Sequence, residues 1–143
     1  MRRKLSLKAS LTKRPVIYEI VPPRRDTSRF NTELQGVEEV LHDSRIAAIN
    51  IPELISRREQ KGRVQYYPAT IPPEEYAMLI KEYKEAIVNI IAPRLKKQDF
   101  ATRVEKILGN YDIPNIVLVG RERHGDVLPG PSVPEALALI GER

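Results

Sequence analysis

Four short apolar runs rich in β-branched residues recur along this chain, at 16–21, 46–51, 86–92 and 115–119, and each is followed by residues with helical spacing. Leu34, Val37, Val40 and Leu41 place one apolar stripe on a helix over Thr32 to Leu41. Pro72 and Pro73 followed by Glu74 and Glu75 start a helix over Glu74 to Lys84. A third helix covers Asp99 to Leu108 and closes at Gly109-Asn110, and the box Ser132-Val133-Pro134-Glu135 opens a fourth that runs into Ala136 to Ile140. Residues between the second strand and second helix read as a polar, proline-bearing loop. Four βα units in succession imply an α/β protein with parallel strands and right-handed crossovers. Two architectures satisfy that pattern, a small doubly wound sheet or half of a (β/α)8 TIM-type barrel. A full barrel takes roughly 250 residues and eight units. This chain of 143 residues has four, so the expected arrangement is a basic arm at 1–15 followed by a (βα)4 half-barrel domain at 16–143. The missing half would come from a longer parent chain, another subunit or a second copy.

The charge is unevenly spread. Of 24 Lys and Arg, six fall among residues 1–15 (Arg2, Arg3, Lys4, Lys8, Lys13 and Arg14), where there is no acid, so the remainder is close to balanced against 19 Asp and Glu. Such an arm can bind phosphates or be a solvated terminus. The scattered aromatics give no stacking cluster and argue against nucleic acid as a partner. No apolar run reaches the roughly 18 residues of a membrane span, and no secretory apolar block stands at the N-terminus. A cytoplasmic protein without a membrane partner is expected. With no cysteine, thiolate metal sites and a cysteine nucleophile are excluded.

Ligands of βα folds gather where strands end and their following loops begin. Here those exits are Pro22-Pro23-Arg24-Arg25, Pro52-Glu53, Pro93-Arg94 and Gly120-Arg121-Glu122-Arg123-His124. Arg24, Arg94 and Arg121 would converge on one side and suit a phosphate or carboxylate, because guanidinium makes paired hydrogen bonds to such groups. Equally, such loops are polar because they are exposed. Three polar residues, Glu19, Asn50 and Asn89, interrupt the strands just before their exits. Strand alternation puts Ile17, Glu19 and Val21 on one face, so Glu19 would point into a barrel below its mouth. A carboxyl desolvated there has a raised pKa and serves as a general acid. The alternative is an ion pair with Arg24, Arg94 or a lysine. His124 and Asp126 lie in a polar loop where a lone histidine is usually solvated and no metal is expected, while Gly130-Pro131-Ser132 leads into a helix N-terminus able to hold an anion. His42 would serve the end of the first helix.

Tyr18-Glu19-Ile20-Val21-Pro22-Pro23-Arg24 resembles the Phe-Glu-Phe-Phe-Pro-Pro-Arg signature on the first strand of methylenetetrahydrofolate reductases, flavin enzymes built on a βα barrel. Asn115-Ile116-Val117-Leu118-Val119-Gly120-Arg121-Glu122 is similar to that family's fourth strand, approximately Asn-Ile-Leu-Ala-Leu-Arg-Gly-Asp, and a Pro-Gly-Pro-Ser run precedes a helix at a similar place. The resemblance implies reduction of a methylene group on a folate or related pterin to methyl, with hydride from FAD. It makes Glu19 the general acid that protonates the folate. It puts Glu122, with Arg121, Asn50 and Arg94, near the cofactor, and Arg24 and Asn89 near the substrate. Asn50-Ile51-Pro52-Glu53 differs from the family's Thr-Tyr-Gly-Ala type segment, and units five to eight are not in this stretch. The alternative function is a non-catalytic binding or scaffold protein that keeps the half-barrel fold without flavin.

Overall fold

In a computed structural model of the chain, Leu7 and residues 14–24, 37–121 and 128–141 are described. Four strands form one parallel sheet: β1 (Val16–Glu19), β2 (Ile46–Ile51), β5 (Glu85–Ile91) and β6 (Asn115–Val119), in the order β1-β2-β5-β6. Sheet order follows chain order, without the reversal of a doubly wound sheet. Helical residues 37–42 (α1), α2 (Pro73–Ile80), α3 (Lys97–Glu105) and α4 (Val133–Gly141) alternate with the strands. The protein is therefore mixed α/β on a four-stranded parallel sheet.

The helices cover one face. Ile49 and Ile51 of β2 and Ala86, Val88 and Ile90 of β5 pack with Tyr76, Ala77 and Ile80 of α2, Phe100 and Val104 of α3, and Ala136 of α4. Burying a large side chain in such a cluster contributes about 1.5–3 kcal/mol, which is why the i, i+3, i+4 spacing of α2 and α3 dictates their placement. Lys84 fixes the near end, its Nζ donating to the carbonyls of Asp43 (2.6 Å) and Ile46 (2.8 Å). In the turn before β2, hydrogen bonds from the Arg45 side chain and then its backbone N–H hold the Asp43 carboxyl at about 2, well below the usual carboxylate range.

Several local expectations change. The segment after β2 is no loop but a two-stranded antiparallel hairpin, β3 (Ile55–Gln60) and β4 (Arg63–Pro68), turned by Lys61 (φ 52°) and Gly62 (φ 73°). Positive φ at both turn residues matches the right-handed twist of the flanking strands. The first strand is not buried. Val16, Ile17 and Tyr18 are 53%, 43% and 46% exposed, because among the described residues β1 is a sheet edge with a neighbour on one side only. α3 does not close at Gly109; it widens into a π turn over Lys106–Asn110, with the Tyr111 N–H donating to the Lys106 carbonyl, and the left-handed residue is Asp112 (φ 50°). α2 stops at Ile80, and a turn occupies the residues up to Lys84.

Candidate functional site

Parallel pairing puts Glu19, Asn50, Ile87 and Asn115 in one row across the four strands. Side chains in one row share a face. This is the face opposite the helices, since none of Glu19, Asn50, Ile87 or Asn89 belongs to the packed cluster. Here Asn50 Nδ2 donates to Glu19 Oε2 at 2.9 Å. The two residues that interrupt the first two apolar runs are thus partners. Asn89 stands on the same face, one alternation nearer the exits and opposite Val117. Its Oδ1 is buried and accepts no hydrogen bond among the described residues, an arrangement that costs about 1–3 kcal/mol unless a donor arrives.

Glu19 itself is exposed. The enclosure expected of it is not provided by the described residues, again because β1 is an edge among them. It accepts a hydrogen bond from Asn50, and Arg94, one of the cations offered as an ion-pair partner, bonds Glu53 instead. Toward the two edges the face is open and apolar, with Ile17 43% and Val117 45% exposed, whereas Ile87 and Ile91 at its centre are buried.

At the exits, charge is used internally. Glu53, immediately after β2, is 9% exposed. Its Oε2 accepts the Ile91 N–H (2.6 Å), and its Oε1 accepts Arg94 Nε (2.9 Å) and Arg103 Nη1 (2.7 Å). Arg103 also donates to both Glu74 oxygens at 2.8 Å. Burial pulls the Arg103 guanidinium down, and the hydrogen bonds and charges of Glu74 and Glu53 more than reverse this, leaving it above its ordinary value. The network clamps the β2 exit, the β5 exit and the start of α2 to α3. Sequence reasoning named Glu53 and Glu74 only as an exit charge and a first-turn acid, and Arg103 not at all. The signal available was the position of each acid directly after a proline, where a side chain next to a strand or helix end is easily fixed.

Arg24 and Arg121 are exposed, just past β1 and β6. Glu122, His124 and Asp126 lie outside the described residues, as does most of the basic arm. The Ser132 box forms as expected: Ser132 Oγ donates to Glu135 Oε1 (2.9 Å), and the Glu135 N–H donates to Ser132 Oγ (3.3 Å). These contacts from the Ser132 side chain and backbone hold the Glu135 carboxyl below its ordinary value. The start of α4 is therefore already occupied by a carboxylate of the chain. His42 meets the Tyr83 ring edge-on at 5.6 Å. A cleft of about 310 Å³ lined by Lys81, Glu82, Asp112 and Pro114 lies at the opposite ends of β5 and β6, away from the strand exits and beside Asn115, whose Nδ2 donates to Glu85 of the same lining.

Among the described residues no group of three or more His, Asp or Glu is placed to hold a metal ion, and no helix is long and apolar enough to cross a membrane. No family model matches the chain, and no curated protein matches it.

Proposed function

We propose that this chain is one half of a methylenetetrahydrofolate-reductase-like βα barrel, in which Glu19 protonates a folate or related pterin whose methylene group is reduced to methyl. The observation that carries it is the Asn50 to Glu19 hydrogen bond on the face of a parallel sheet in chain order that lies opposite its packed helices. The stagger of that sheet supports the barrel. The Glu19 row crosses the last residue of β1 and the first residue of β6, so β6 runs four residues further toward the exits, Val119 against Asn115. An eight-stranded barrel of shear eight needs about one residue of offset per strand.

Closure of the barrel by a second half, a copy of this chain or another subunit, would cover β1 and enclose Glu19. A carboxyl enclosed in this way is desolvated, which favours its protonated form. Asn50 then orients it. The residues fit the ring end of a flavin or pterin: Asn89 has a buried acceptor with no donor among the described residues, and Asn50 carries an amide on the neighbouring strand, one alternation further from the exits. They do not fit the diphosphate of FAD through Arg94, whose Nε and Nη2 are held by Glu53. A bound flavin supplies hydride; this chain supplies the proton, the orientation of the acid and one wall of the site.

The test is to purify the chain with its second half and measure methylene-folate-dependent flavin oxidation. Glu19→Gln should abolish turnover with flavin retained; full activity in that variant would sink the assignment. The use of Arg94 and Arg103 as structural clamps favours a second reading, a scaffold that keeps the fold without flavin. A flavin-free assembly with no spectral response to reduced pyridine nucleotides would support it.

A further inference from the structure

The hairpin between β2 and α2 stands apart from the sheet. Its base is closed by the Ala69 N–H donating to the Leu54 carbonyl at 3.0 Å, and residues 57–65 are exposed without interruption. A two-stranded ribbon is marginal unless it covers a core or meets a partner. Cross-strand pairing sorts its side chains into two faces that differ in chemistry. One face carries Ser56, Arg58 and Gln60 opposite Tyr67, Gln65 and Arg63, and has no acid. The only acid of the ribbon, Glu59, belongs to the other face, where it lies 3.8 Å from Arg57. On the acid-free face the Arg58 guanidinium sits over the Tyr67 ring, 5.3 Å from its centroid. Lys61 adds a third cation at the tip.

We propose that this face of the hairpin binds single-stranded nucleic acid, with Arg58, Lys61 and Arg63 taking phosphates and the Tyr67 ring stacking a base. Three cations with no acid between them complement a phosphodiester chain, guanidinium pairs its N–H groups with phosphate oxygens, and an exposed ring accepts any base. Gln60 and Gln65 add side-chain donors and acceptors between the arginines. Six-residue strands give a platform about 20 Å long. An acid-free face suits an acidic protein by charge alone, but the Arg58–Tyr67 pair adds a stacking platform that a polypeptide carboxylate does not use. The scattered aromatics of the sequence gave no such platform; the hairpin builds one. It is independent of the Glu19 site.

Fluorescence anisotropy of a labelled 20-nucleotide single strand on the full chain, across a salt series, tests it. With three phosphates neutralised, the log–log salt slope should be near −2, at about −0.7 per contact. The double variant Arg58→Ala, Arg63→Ala should weaken binding at least about tenfold and flatten the slope to roughly −0.7. Tyr67→Ala should weaken it about fivefold or more with the slope unchanged, and Arg57→Ala on the other face should cost less than either. Circular dichroism and the urea midpoint, which the ribbon barely influences, certify that each variant is folded. Absence of binding, binding indifferent to the double variant, a Tyr67→Ala protein that binds like wild type, or equal competition by polyglutamate would each overturn the proposal.

Discussion

At the scale of single residues, the informative ones are those whose chemistry disagrees with their neighbours. Glu19, Asn50 and Asn89 were legible because each is polar inside an apolar run, and the register joins the first two directly. What the residues could not reveal was exposure. A run such as Val16 to Val21 has the composition of a buried strand, but burial depends on how many neighbours the strand acquires, and β1 acquires one. Gly130 is a different case. Its N–H donates to the Pro93 carbonyl at 2.8 Å, and a Cβ there would lie 1.9 Å from the Leu95 carbonyl oxygen and under 3.0 Å from those of Pro93 and Ala92. Backbone oxygens cannot swing aside as a side chain would. Gly130→Ala should therefore cost about 1–3 kcal/mol by overpacking and loosen the chain leading into α4 from the β5 exit. Urea denaturation measures it, and an unchanged midpoint would contradict this close approach.

Secondary-structure elements were legible wherever apolar spacing determines packing. β2 and β6 fall where β-branched runs predict them, and the Ser132 to Glu135 box starts α4. Elements held by other forces were not. The hairpin has little apolar surface and turns at Lys61-Gly62 rather than the familiar Asn-Gly, so its sequence looked like a polar loop. The ion network was hidden because its partners are far apart in sequence, Arg103 lying 29 residues from Glu74 and 50 from Glu53. Arg103 and Glu53 expose only 10% and 6% of their side chains, so truncating the shared cation strands the buried Glu74 carboxylate and leaves Glu53 to Arg94 and the Ile91 N–H. Arg103→Ala should destabilise the fold by about 3–5 kcal/mol. Combining it with Glu74→Ala should cost less than the sum of the single changes, since the second change removes one stranded carboxylate. Chemical denaturation of the three variants checks this; strict additivity would show that the contacts are not coupled.

For the molecule as a whole, the arrangement of chemistry is one-sided. The packed helices occupy one face of the sheet, while the other carries the Glu19 to Asn50 pair, the Asn89 acceptor that has no hydrogen bond among the described residues, and the exposed apolar residues Ile17 and Val117 toward its edges. Four repeated βα units were visible in the sequence because each unit repeats the same apolar rhythm. The closure that the proposed barrel requires was not visible, because it would depend on groups outside these residues. The proposed barrel needs β1 and β6 to be covered, since only a covered β1 gives Glu19 the enclosure that proton donation requires. Native mass spectrometry of the chain purified from its own cells tests this most directly. The prediction is a particle holding two half-barrels: twice the 16.4 kDa chain mass if the second half is a copy, or this chain bound to one other polypeptide that supplies the remaining strands. A particle of 16.4 kDa holding this chain alone would contradict the account.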